Sequence, residues 1–378
     1  MKLKLEKFMI SVKLAQHGIG TALAVALASR VIVVIVSLAA VSLVGVRNVA
    51  GWRIEVPLAG IFARWDSAYY LTIARDGYVQ ENLYAFRPLY PLLLRFFATL
   101  VGRVDWQTMT VIGFAASNLF FAVSAFFLYK LTEQVYSRKE AYRTVALFSL
   151  SPGTVYLSAV YPEALYLTLL FATLYFLSKS KVFSAAFLSF LAALARPEGI
   201  LMALLFLATA LRYADVGGWR LHVRRNFLYY MLAATFPIVG TIFFGLYVGG
   251  VMQPFLSELM WDKWTLAKFI GSWWLTEPDG PAAILSFTVL LLLFGAFSTR
   301  SRRMLEDENL RGYLIWSLAL LILFLTSADF RSLPRLSLQI APAYWILSSS
   351  SHWQAFLALL TPLAVCGTIL YASWYPIL

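Results

Sequence analysis

The stretch GIGTALAVALASRVIVVIVSLAAVSLVGV, residues 18–46, decides the fold class. Its only charge is Arg30. A helix needs about 20 mostly apolar residues to cross a bilayer, so this run suffices with some tilt. It is too long for the apolar core of a signal peptide and lacks a clear cleavage site, so it reads as a retained first helix.

Similar blocks recur along the chain: Thr108–Leu131, Thr144–Val160, Pro162–Leu177, Val182–Ala195, Gly199–Leu211, Phe227–Val248, Ala282–Phe297, Tyr313–Leu325, Ile340–Leu347 with its flanks, and Phe356–Tyr371. They predict an all-α polytopic membrane protein with about 11 transmembrane helices. Composition agrees. The 378 residues are 61% hydrophobic and 13% charged. That is half the charge of an ordinary soluble domain, too little to clothe a soluble surface. No Pro/Gly/Ser linker divides the chain, so residues 1–378 are expected to form one integral membrane domain.

Charge predicts the orientation. With the N-terminus cytoplasmic, the loops on that side carry 18 basic and 7 acidic residues, while the opposite side is balanced. This is the positive-inside pattern, and the basic face suits anionic membrane lipids. Nucleic acid is not expected, because the basic residues are dispersed over short loops. The expected place is a multi-pass position in the cell membrane of a prokaryote, or in the endoplasmic reticulum membrane of a eukaryote. Cys366 is the lone cysteine and sits in the last span. No disulfide or cysteine metal site is therefore expected. The three histidines fall on the cytoplasmic side, so a general base on the outer face would have to be a carboxylate.

Two outer segments are long: 47–107 and 249–280. Both are rich in Trp and Tyr, as interfacial chain is. In the first, FARWDSAYYLTIARDGY (62–78) has helical spacing. Asp66, Tyr69, Tyr70 and Ile73 share a face, and Gly77 is a plausible stop. Pro88 and Pro91 then turn the chain and open a second interfacial helix containing Arg95. Asp66 has two readings, as a helix N-cap or as a catalytic carboxylate. A weak repeat relates 159–177 to 193–211. In each copy an X-Pro-Glu step starts a helix. Glu163 and Glu198 are thus either helix-start carboxylates or, with Arg196, polar groups facing a recessed cavity. Arg30 at mid-span is expected to pair with an internal polar group or to snorkel.

The run Arg64-Trp65-Asp66, the tyrosines after it, Gly77-Tyr78 and RPLYP (87–91) resemble the first outer loop of the PIG-V-like mannosyltransferases. Arg30 in the first span, SPGTVYLSAVYPEALY (151–166), ARPEGI (195–200) and SLPRLSLQIAPAYWIL (332–347) follow in the family's order. Residues 249–309 match poorly. The family's usual FPLYP reads RPLYP here, so Arg87 replaces a bulky apolar residue. The resemblance implies a GT-C-type bundle with interfacial helices in its first outer loop. It implies inverting transfer of mannose from a dolichyl- or polyprenyl-phosphate donor to a glycan or glycolipid acceptor on the outer or lumenal face. Asp66 matches the family's acidic residue in the first outer loop, which serves as catalytic base or orients the acceptor. Arg335 and Arg331 are the first choices for the departing phosphate, followed by Arg64, Arg87 and Arg196. Trp65, Tyr69, Tyr90, Glu163 and Glu198 complete the expected substrate site. No metal or other cofactor is expected, since the outer face has no D-x-D pair and no histidine. The rival readings are a GT-C transferase using another prenyl-phosphate sugar, a secondary transporter or lipid flippase, and a non-enzymatic subunit of the same fold.

Overall fold

The computed structural model describes residues 18–46, 56–217, 220–223, 225–259, 280–326 and 332–373. Among these residues the architecture is helical. Four helices are long and apolar enough to cross a membrane: α1 (Ile19–Leu43), α4 (Trp106–Val135), α9 (Arg225–Tyr247) and α15 (Trp353–Ala372). Between them in sequence lie α2 (Ser67–Asp76), α3 (Leu89–Val101), α5 (Arg138–Ser149), α6 (Glu163–Ser178), α7 (Val182–Ala195), α8 (Met202–Ala210), α10 (Gln253–Leu259), α11 (Gly280–Glu306), α12 (Glu308–Thr326), the single turn α13 (Leu333–Leu336) and α14 (Ala341–Ser348). A short antiparallel hairpin, β1 (Ala214–Gly217) and β2 (Arg220–Val223), joins α8 to α9 and was not expected.

Residue size explains which faces point inward. The buried side of α1 is built from Ala22, Ala26, Ser29, Val33, Ser37 and Ala40. Its exposed side carries Leu27, Val31, Ile35 and Leu38. Small residues inside and large apolar ones outside are the pattern of a helix packed in lipid, where close backbone approach drives association. The α3 helix also turns large apolar residues outward, with Leu92, Phe96 and Leu100 exposed, while Tyr90, Leu94 and Ala98 form its buried side. Its last turn ends at Gly102 in the left-handed conformation, φ 79°. The core lies where α4 packs on α6, and α7 and α8 pack on α9.

One expected span takes a different form. Instead of a continuous helix over Thr144–Val160, α5 ends at Ser149, and the chain continues as buried irregular backbone with one 3₁₀ turn, Thr154–Leu157. Hydropathy registers this segment as apolar, but Pro152 and Gly153 break the helix. Buried backbone of this kind must find hydrogen bonds inside the protein. Arg30 supplies several of them. Its guanidinium donates to the carbonyls of Thr154 (2.8 Å) and Ser149 (3.2 Å) and to the hydroxyl of Ser158 (3.3 Å), with Phe121 beneath it at 4.0 Å. Ser117 donates to the Ala159 carbonyl, and the Val160 amide donates to the Phe62 carbonyl. The mid-span arginine is thus the internal structural partner of a loop, held by neutral oxygens.

Candidate active site

The segment before α2 carries a signature of constraint. Trp65 has φ +48°, a left-handed conformation that costs a non-glycine residue about 1–3 kcal/mol. Strain of this kind persists where surrounding structure imposes it, and here the next residue is Asp66. Asp66 stands at the N-cap position of α2, yet its backbone is already helical and its side chain makes no capping bond. The capping role therefore does not apply, and the carboxylate is available elsewhere.

It meets Arg335. Arg335 Nη1 lies 2.9 Å from Asp66 Oδ2, with the two side chains 12% and 21% exposed. On its other side Arg335 Nε lies 3.5 Å from Glu163 Oε1. Glu163 also bonds Arg196, which forks onto Glu198 at 2.8 and 3.1 Å. Five charges, Asp66–Arg335–Glu163–Arg196–Glu198, thus form one chain, and Asp66 is its most exposed member. The repeat in the sequence explains half of it. Its two Pro-Glu steps place Glu163 in the first turn of α6 and Glu198 in the 3₁₀ turn Pro197–Leu201, and both carboxylates converge on Arg196. Burial works against the Arg335 charge, but Glu163 and Asp66 outweigh it and hold the guanidinium well above its ordinary range. Burial likewise pushes Glu198 up, and the Arg196 charge reverses this to a net downward shift.

Tyrosines frame the pair. The hydroxyl of Tyr161 accepts the Asp66 amide at 2.9 Å. The hydroxyl of Tyr371 accepts the Arg64 amide at 3.3 Å and donates to the Phe62 carbonyl at 3.0 Å. Arg335 lies over the rings of Tyr156 and Tyr161, at 5.5 and 5.7 Å. The buried Tyr156 hydroxyl has no hydrogen-bond partner among the described residues, and neither does Glu163 Oε2. None of these three tyrosines was singled out from the sequence. Tyr156 and Tyr161 lie in the quoted stretch 151–166, whereas nothing local marks Tyr371.

The remaining expected residues divide. Tyr69 stacks on Phe86 at 4.9 Å beside Asp66. Trp65 packs against the cluster around Phe62 and Tyr156. Arg64 is buried, and its backbone amide is held by Tyr371. Tyr90 uses its hydroxyl on the Gly113 carbonyl and Ser117, which makes it a packing residue against α4. Arg87 is buried over Phe244 and makes no hydrogen bond to Asp66 among the described residues. Arg331 lies outside the described residues.

Gly153 positions Arg335 from below. A β-carbon there would overlap the Pro334 carbonyl oxygen and crowd its carbon at 2.7 Å and the Arg335 amide at 3.0 Å. All three are backbone atoms of the turn that carries Arg335. Gly153→Ala is expected to lower stability by about 1–3 kcal/mol, read as a fall in melting temperature in detergent. Gly20→Ala, whose added carbon meets nothing within 4 Å, should leave it unchanged. Equal melting temperatures for both variants would contradict this packing.

A family model described as Mannosyltransferase (PIG-V) matches residues 18–248. GPI mannosyltransferase 2 of Schizosaccharomyces pombe is 26% identical over 311 residues, 76% of this chain and 65% of that protein. GPI alpha-1,6-mannosyltransferase 2 of Mus musculus is 34% identical over 149 residues, 38% of this chain and 30% of that one. The chain therefore spans less than two thirds of the length of these relatives. Among solved structures, the apo form of an Archaeoglobus fulgidus oligosaccharyltransferase covers 93% of this chain and 56% of its own at 13% identity, with a TM-score of 0.44.

Proposed function

This chain belongs to the Mannosyltransferase (PIG-V) family, and we propose that it transfers mannose, with inversion at the sugar carbon, from a dolichyl- or polyprenyl-phosphate donor to a hydroxyl of a glycan or glycolipid acceptor. The observation that carries this reading is the Asp66–Arg335 pair, a carboxylate and a guanidinium 2.9 Å apart at the more open end of a buried charge chain. Sugar transfer from a prenyl phosphate asks for that combination. A base must take the acceptor proton, and a cation must meet the phosphate as the C1–O bond breaks.

In the proposed step the acceptor oxygen attacks the anomeric carbon from the face opposite the phosphate. Asp66 takes the hydroxyl proton. The bonding pair of the C1–O bond leaves with the prenyl phosphate, whose new charge faces Arg335. The donor phosphate competes with Asp66 for Arg335, so donor binding frees the carboxylate that acts as base. Glu163 holds the other edge of the guanidinium and keeps it oriented during this exchange. In this reading the Tyr156 hydroxyl, which has no hydrogen-bond partner among the described residues, donates to the same phosphate.

The wider arrangement we propose is a single GT-C-type, multi-pass membrane domain. Segments 47–107 and 249–280 lie on the non-cytoplasmic face, with α2 and α3 at the lipid–water boundary. The long apolar helices and the exposed leucines and phenylalanines of α3 support this placement.

The test is transfer by the purified chain in liposomes supplied with dolichyl-phosphate mannose and a glycolipid acceptor, followed by mass spectrometry of the product. Arg335→Lys keeps the charge and loses the fork, so it should slow transfer by about 10²-fold with the protein still monodisperse. Transfer of glucose but not mannose would move the assignment to another sugar, and no transfer from any prenyl-phosphate sugar would end it.

A further inference from the structure

Arg30 is 6% exposed and is not one of the five linked charges, yet its guanidinium reaches the segment on which Arg335 rests. Nη1 and Nη2 donate to the carbonyls of Ser149 and Thr154 and to the hydroxyls of Thr154 and Ser158. Nε and Nη2 also donate to the Ser29 hydroxyl on α1, at 3.2 and 3.1 Å, which fixes the plane of the fork. Lysine cannot reproduce this set, because an ammonium is a point with three donors and no fork. Residues 150–158 contain one 3₁₀ turn and otherwise no regular structure. Their course is therefore set by bonds from outside the segment.

The opposite side of the same segment meets the turn that carries Arg335. Gly153 lies so close to the Pro334 carbonyl and the Arg335 amide that a β-carbon does not fit between them. Tyr156 holds its ring 5.5 Å from the Arg335 guanidinium. Thr154, whose carbonyl accepts from Arg30 at 2.8 Å, stands between these two residues in the chain. Arg335 itself sits on the single turn α13, and one turn has little rigidity of its own. The far end of the segment reaches the base as well. There the Val160 amide donates to the Phe62 carbonyl and the Tyr161 hydroxyl accepts the Asp66 amide, both at 2.9 Å.

Resting on the transfer reading above, we propose that Arg30 is a positioning residue for the reaction: it holds residues 149–158 in the shape that aims Arg335 at the departing phosphate. Arg30 touches neither substrate. The rate depends on it because a catalytic group displaced by about 1 Å can cost about 10²-fold.

A double-variant cycle separates aiming from holding the fold together. Transfer from dolichyl-phosphate mannose to a glycolipid acceptor is measured with the full chain in liposomes. Arg30→Lys keeps the charge and loses the fork, so it should slow transfer at least about tenfold. In the Arg335→Lys background the same change should cost less than about threefold, because the fork that Arg30 aims is already gone. A residue that only stabilises the fold would remove the same fraction of active protein in both backgrounds. Ser29→Ala removes only the anchor on α1, and it should give a smaller loss with the same dependence on Arg335. It serves as the test if Arg30→Lys does not extract as a folded protein. Leu27→Ala, on the 53% exposed side of α1, should leave the rate unchanged. A second readout needs no catalysis: backbone deuterium exchange in micelles, read by mass spectrometry. Arg30→Lys should speed exchange in residues 150–158 and in the turn 333–339, with α6 and α7 unchanged. Equal slowing in both backgrounds, a folded Arg30→Lys protein with the wild-type rate, or faster exchange that stops short of residues 333–339 overturns the proposal. If Arg335→Lys itself transfers at the wild-type rate, the transfer reading fails instead, and the exchange pattern alone decides whether Arg30 holds the Arg335 turn.

Discussion

Asp66→Asn is expected to lower the rate of sugar transfer by about 10³-fold, within the usual span for loss of a general base, with little change in stability. The substitution is nearly isosteric. The Asp66 amide still donates to Tyr161, and an amide oxygen can still accept from Arg335. What disappears is the capacity to take a proton. The loss should appear in kcat and in kcat/KM alike, because the proton moves only in the transition state. Stability should hold because Asp66 caps nothing and is 21% exposed at the end of the charge chain, so no buried ion is stranded without a second partner. Arg335 retains Glu163. The measurement is steady-state transfer from dolichyl-phosphate mannose by wild type and variant, with size-exclusion profiles as the folding control. Equal rates in two well-folded proteins would remove Asp66 from the chemistry and leave the ion pair as scaffolding.

The parts of this molecule that were legible in its sequence are those set by local rules. A run of uncharged residues long enough to span a bilayer is visible without partners, and α1 lies where that rule puts it. The Asp66 helix was legible through its spacing and its glycine stop, and Gly77 indeed ends α2 with φ +82°. Convergence was not legible. Arg335 and Asp66 are separated by 269 positions and Tyr371 and Arg64 by 307, and no periodicity reports contacts of that kind. The block Thr144–Val160 misled for a related reason. Whether a Ser-Pro-Gly break opens a hydrophobic block depends on remote groups able to satisfy the freed carbonyls. Arg30, more than a hundred residues upstream, is such a group. Its charge at mid-span was the sequence's sign that something polar lay opposite, but not what.

Arg196→Leu should be the most damaging single change to the fold. Arg196 is the partner that Glu163 and Glu198 share, and all three side chains are at most 9% exposed. Removing a whole buried ion pair and filling the space is often neutral, but removing one partner leaves a buried charge uncompensated, at a cost of about 3–5 kcal/mol. Here two carboxylates are stranded at once. Glu163 keeps a longer contact to Arg335, whereas Glu198 is left with none of the side-chain bonds shown for it. A domain with only about 5–15 kcal/mol of stability does not absorb that readily, so the variant should fail to give a monodisperse peak after extraction. The damage is electrostatic and should therefore be reversible by charge. Adding Glu198→Gln and Glu163→Gln to Arg196→Leu should recover much of the folded protein, although the recovered triple variant should transfer slowly because Arg335 loses the carboxylate that orients it. Recovery without slowing would mean that Glu163 does not steer Arg335. Failure of the triple variant to recover would mean that Arg196 acts through its shape and packing rather than its charge, and a stable single variant would show that the buried chain is not held together at Arg196.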